Sequence, residues 1–189
     1  MSNVLLLYGD PPDQEVTRLL GRAYERGAAE AGAVVRTINI MDLKFNSNIP
    51  LGERVFHLEP DMELSLRQLH WASHVVLFCT VYKDTIPARL KGFFDRLFLP
   101  DRIFSGPQAG VDNDFRGKSA RIVSVLDGAS WESYRESKSP AYHSVKRIVF
   151  ERRGFRPVRT ATVGYLHSVD NEYAKKWLGK MTEFGIKLI

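Results

Sequence analysis

Two kinds of apolar pattern alternate along the 189 residues. NVLLLY at 3–8, HVVLFCT at 74–80 and SARIVSVL at 119–126 are short, nearly unbroken apolar runs, which predict strands buried on both faces. AVVRTINI at 33–40 and PVRTATVGYL at 157–166 carry more polar positions but are rich in β-branched residues, and they predict two further strands. Between these runs the spacing changes to that of a helix. In residues 15–31 the apolar positions are Val16, Leu19, Leu20, Ala23, Ala28 and Ala31, and Gly32 closes the helix. In residues 87–99, Leu90, Phe93, Phe94, Leu97 and Phe98 form one face, Arg89, Lys91, Asp95 and Arg96 the other, and Pro87 suits the first turn. Further helices are predicted over 61–73, 141–153 (ending at Gly154) and 171–185. Residues 41–60 read as a loop followed by an irregular excursion, 106–117 as a surface loop, and 127–140 as a long loop.

Strands alternating with helices predict an α/β fold in one domain over residues 1–189, a five-stranded parallel sheet, doubly wound, with helices on both faces. The first strand runs into GDPPDQ, which has one glycine and so lacks the dinucleotide fingerprint. The flavodoxin-like strand order 2-1-3-4-5 is therefore expected over a Rossmann order. In such sheets ligands bind beyond the carboxyl ends of the strands, where the loops at 9–17, 80–86 and 127–134 should meet.

Several segments carry a family resemblance. PARLKGFFDRLFLPDRIF at 87–104 resembles the PAxLKGFxDRVFLPGxAF segment of the flavodoxin-like NAD(P)H dehydrogenases, the family of the FMN-dependent quinone reductases. MDLKF at 41–45, WASHVV at 71–76, GKSARIV at 117–123, GFRPVRTATVGYL at 154–166 and the closing AKKWLGKMTEFG are similar to further segments of that family. The resemblance implies hydride passing from NAD(P)H through FMN to a quinone-like acceptor, and a homodimer to which Phe93, Phe94, Phe98 and Phe104 would lend apolar contact unless they are core.

The resemblance also implies site residues. Asp10, Gln14, Glu15, Val16 and Thr17 fall in the segment that binds FMN phosphate, with Asp10 where the family has His and Gln14 where it has Ser. Asp10 or Asp13 would be able to cap the helix there and occupy the donors a phosphate needs. Thr80, Val81, Tyr82, Lys83 and Asp84 replace a segment that lays aromatic rings and backbone amides along the flavin edge. Asp127, Gly128 and Ala129 would pass close to the ring, Trp131 would line the nicotinamide or quinone site, and Tyr134, paired with His143, would donate a proton. These departures leave a second reading open, a flavin-free protein of the same fold that binds a partner.

Composition narrows the picture. Hydrophobic residues at 44% and charged residues at 26% are those of a globular protein, and no apolar run reaches the roughly 20 residues of a membrane span. MSNVLLLYGDPP lacks the basic region of a signal peptide, so a cytoplasmic location is expected. Cys79, alone, reads as a small core hydrophobe. The net charge of +5 gathers partly in KRIVFERRGFRPVR at 146–159, but no nucleic-acid motif accompanies it, so nucleic acid is not expected as a partner. No metal-ligand spacing is present.

Overall fold

The computed structural model describes residues 2–48, 58–98, 115–137, 145–164 and 171–189. Five strands, β1 (Asn3–Tyr8), β2 (Val34–Asn39), β3 (His74–Val81), β4 (Ser119–Leu126) and β5 (Val158–Val163), form one sheet in the order β2-β1-β3-β4-β5. Every pair is parallel, with Leu6 opposite Thr37 and Val76, and Ile122 opposite Leu77 and Thr160. This is the flavodoxin-like order expected from the sequence. Among the described residues, five α-helices surround the sheet: α1 (Glu15–Glu30), α2 (Pro60–Trp71), α3 (Ala88–Leu97), α4 (Gly128–Ser137) and α5 (Glu172–Lys187).

Alternation along the strands divides the core in two. Leu5, Leu7, Val75, Leu77, Cys79 and Ile122 point to one face, where Met62 and Leu69 of α2 and Leu90, Phe93 and Phe94 of α3 cover them. Val4, Leu6, Val76, Phe78, Val123 and Val163 point to the other, under Leu20, Ala23 and Tyr24 of α1 and Met181 of α5. β3 is buried throughout and β4 from its second residue on, whereas edge strand β2 alternates less cleanly, with Val34 44% exposed. Phe93, Phe94 and Phe98 lie in the core, so none of them offers a dimer surface; Phe104 lies outside the described residues.

Two expectations are corrected. Residues 128–137, expected within a loop, form α4. The Asp127 carboxylate accepts from Ser130 N at 2.8 Å and the Asp127 carbonyl from Trp131 N at 2.8 Å, so Asp127 caps a helix whose sequence shows little apolar periodicity. The helix expected over 141–153 is, where described, a π-helical turn at Val145–Phe150 and a 3-10 turn at Glu151–Arg153, ended by Gly154 at φ 94°. Three side chains of this basic stretch contact the fold, while Arg147, Arg152 and Arg159 are exposed. Arg153 lies 4.7 Å over the Phe98 ring, Arg156 donates to the Glu151 and Phe155 carbonyls, and Lys146 pairs with Glu151 at 3.8 Å.

Cys79 is fully buried, and burial, with Asp10 nearby, pushes its thiol up to about 12, which makes it an inert core residue. Among the described residues no helix is long and apolar enough to cross a membrane, and no group of three His, Cys, Asp or Glu could hold a metal ion.

Candidate functional site

The loops after β1, β3 and β4 come together at the carboxyl edge. The first is organised from inside. Asp10 is fully buried, and its two carboxylate oxygens accept from the Thr80 backbone N–H at 2.8 Å and the Thr80 hydroxyl at 2.9 Å. Asp10 therefore ties the β1–α1 loop to the end of β3, a contact across 70 positions. Burial raises its pKa, while the Thr80 bonds, Thr17 and the Arg18 guanidinium offset part of that.

With its carboxylate turned inward, Asp10 does not cap α1, and Asp13 makes no such bond either. The N-cap residue Gln14 provides no side-chain cap, and the Thr17 hydroxyl donates to the Gln14 carbonyl at 3.1 Å. The first-turn amides of this 16-residue helix are thus open, with Glu15 beside them as an acidic first-turn residue. Arg18 lies over the Tyr8 ring at 4.2 Å and donates to Asn39.

The protonation of Asp10 gives a first testable outcome. Its folded-state value lies above the ordinary 3.8, so the stability it contributes is full below that pH and is lost as pH rises through the folded value. Asp10→Asn keeps an acceptor for the Thr80 amide and a partner for its hydroxyl without the buried charge. It should be at least as stable as wild type at pH 7. Asp10→Ala strands both Thr80 groups and should lose about 1–3 kcal/mol. Urea unfolding of the two variants at pH 7 checks the ordering.

The second loop is a tight turn. Tyr82 and Thr85 exchange both backbone hydrogen bonds, at 3.0 and 2.9 Å, around Lys83 at φ 45° and Asp84 at φ 59°. Two consecutive left-handed residues define a type I′ turn, here without the usual glycine or asparagine, at a cost of about 1–2 kcal/mol per residue. The third loop holds this turn in place. Asp127 accepts from Lys83 N at 3.3 Å, and the buried Ser130 hydroxyl accepts from Asp84 N at 2.9 Å. The hydrogen bonds from Ser130 and Lys83 hold the Asp127 carboxyl below the usual range. Tyr82 remains 41% exposed on the rim, its phenol raised by partial burial and by Asp10.

The remaining predicted residues are placed as follows. Val81 is the buried last residue of β3, opposite Leu126. Gly128 and Ala129 form the first turn of α4, with open space where a Gly128 side chain would stand. Trp131 lies on the β5 side, its indole 3.1 Å from where a Cβ on Gly164 would be, and it stacks on Tyr134 at 5.8 Å. His143 lies outside the described residues. Ser130 was missed by sequence reasoning; the available signal was Asp127 as a helix cap, whose carboxylate takes the Ser130 N–H. A separate cleft of about 450 Å³ runs along the edge strand, lined by Arg36, Asn39, Asp42, Leu43, Leu64 and Gln68 among others.

A five-stranded parallel sheet in this order, with its loops gathered at the carboxyl edge, defines a protein of flavodoxin-like architecture. The chain belongs to the family described by the flavodoxin-like fold, which it matches over residues 2–182. An FMN-dependent NADH:quinone oxidoreductase of Pseudomonas savastanoi pv. phaseolicola is 36% identical over 66 residues, which are 35% of this chain and 33% of that protein, so the match spans about a third of the relative's length. The solved NAD(P)H:quinone oxidoreductase from Methanothermobacter marburgensis superposes with a TM-score of 0.78 over 100% of this chain and 96% of that one, at 18% identity. An FMN-dependent NADH-azoreductase from Bacillus anthracis, solved in complex with FMN, superposes with a TM-score of 0.66 over 100% and 99%, at 14% identity.

The residues present fit FMN at one end of the site and differ at the other. The uncapped first turn of α1 offers amides that suit a phosphate, while the Asp10 carboxylate beside Thr17 and the Glu15 side chain set negative charge near it. At the ring end the Tyr82 face is available for stacking, but the turn amides are already engaged.

Proposed function

We propose that the protein is an FMN-dependent oxidoreductase that takes hydride from NAD(P)H and delivers it to a quinone-like acceptor. The observation that carries this reading is the uncapped amino end of α1, with Asp10 bonded inward to Thr80, set on the same sheet edge as Tyr82 and Asp127. The amides of Glu15, Val16 and Thr17 would receive the phosphate, with the Gln14 side chain beside them. Tyr82 would carry the ring on its aromatic face, and the exposed Lys83 ammonium would balance negative charge on the reduced ring. When bound, FMN supplies the two-electron chemistry that amino-acid side chains lack. The protein's part would be to orient, to exclude water and to place a proton, with Tyr134 Oη of α4 as the donor. A homodimer of this chain would enclose the site further.

The test is the visible spectrum of the purified protein, followed by titration with FMN. Bound yellow flavin that is bleached by NAD(P)H and restored by a quinone is the expected result. Colourless protein that ignores saturating FMN would overturn the proposal. That outcome would favour a flavin-free protein that binds a partner, the reading supported by the engaged amides of the second loop.

A further inference from the structure

The backbone donors of residues 80–85 can be accounted for one by one. Thr80 N–H goes to Asp10, Tyr82 N–H to the Thr85 carbonyl, and Thr85 N–H to the Tyr82 carbonyl. Lys83 N–H goes to Asp127 and Asp84 N–H to Ser130, while Val81 belongs to β3 and pairs with β4. From Thr80 to Thr85 no backbone donor remains for a ligand. Backbone groups need partners wherever they are shielded from water, and here three of the partners are side chains brought from distant parts of the chain. The turn is also held in a left-handed conformation that Lys and Asp seldom adopt, so it depends on that support.

We infer that Asp127 and Ser130 are positioning residues that lock the 82–85 turn with its amides withdrawn, so that this rim recognises a planar ligand by the face of Tyr82 and not by hydrogen bonds to the ligand's acceptor edge. The inference rests on the oxidoreductase reading for the identity of the ligand, but not for the lock. Its consequence is a change in selectivity. A site that reads acceptor atoms through backbone N–H groups rejects an analogue lacking one of them, because a buried donor is then left unpaired. A site whose donors are already satisfied is indifferent to that loss. The ring analogue that isolates this difference is 5-deaza-FMN, in which a C–H replaces the N5 acceptor while the phosphate end is unchanged.

Two measurements on the full chain decide the matter. The first is amide hydrogen exchange at Lys83 and Asp84. Both should be protected in the ligand-free protein, and in Ser130→Ala the Asp84 amide should exchange about five- to tenfold faster, the loss expected for one hydrogen bond. Unprotected amides at both positions in wild type would overturn the lock. The second is binding of FMN and 5-deaza-FMN. Wild type should bind the two within about twofold of each other, whereas Ser130→Ala, with the Asp84 N–H released, should favour FMN by about fivefold. A wild-type preference for FMN above about tenfold, or identical ratios in the two proteins, would overturn the selectivity role. Should Ser130→Ala fail to fold, wild-type exchange and the wild-type ratio still judge the inference. Should wild type bind neither flavin, the oxidoreductase reading fails and the exchange data alone decide on the lock.

Discussion

Gly27→Ala and Gly185→Ala are each expected to destabilise the fold by more than about 3 kcal/mol, which for a chain of this size lowers Tm by about 6–12 °C. Helix propensity alone predicts the opposite sign, since Ala is favoured over Gly by roughly 1 kcal/mol inside a helix. Packing decides. A Cβ on Gly27 would stand 2.1 Å from the Thr182 carbonyl oxygen, and one on Gly185 would stand 2.1 Å from the Tyr24 carbonyl oxygen. These are backbone atoms, which no rotamer change can move, so α1 and α5 would have to part and uncover Tyr24, Ala28 and Met181. Gly179→Ala is the internal control: it lies in α5 with nothing within 4 Å of its would-be Cβ, and it should be neutral or slightly stabilising. Thermal melts of the three variants check the contrast.

Acidification should weaken the fold through His74. This residue is 3% exposed at the start of β3, with Nδ1 2.7 Å from the Ser119 hydroxyl, Nε2 buried without a partner and the Tyr24 ring stacked at 6.3 Å. Burial, reinforced by the guanidinium groups of Arg121 and Arg159, lowers its pKa from 6.5 to about 4. The unfolded chain then binds a proton that the folded one refuses between these two values. Stability is full above about pH 6.5 and falls by about 3 kcal/mol as pH drops to about 4. His74→Asn offers Ser119 a comparable partner and does not titrate, so the difference between wild-type and variant unfolding free energies should narrow over this window. A pH series of urea unfolding reads it directly, and parallel curves for the two proteins would remove His74 as the cause.

The fold was legible because its strands are chemically blunt. HVVLFCT and SARIVSVL allow few structures other than buried parallel strands, and Leu90, Phe93, Phe94 and Leu97 fix the inward face of α3. The candidate site was legible only as to place. Its geometry depends on contacts between residues far apart in sequence, which local pattern does not encode. Asp10 reads as a possible helix cap until Thr80, 70 positions on, claims it. Lys83 and Asp84 contain no glycine to announce a left-handed turn, and the groups that hold it arrive with Asp127 and Ser130. α4 was missed because GASWESYRES lacks an apolar stripe, although the Asp127 cap was visible.

The close crossing of α1 and α5 also bears on how the chain is made. The surface of α1 around Gly27 and Ala28 finds its cover in residues synthesised much later, around Thr182 and Gly185. On the ribosome, the strip of α1 that meets α5 therefore stays bare until α5 emerges. Such late, non-local closure is slow and leaves apolar surface available to chaperones, so the yield of folded protein in the cell should respond to translation rate more than its equilibrium stability would suggest.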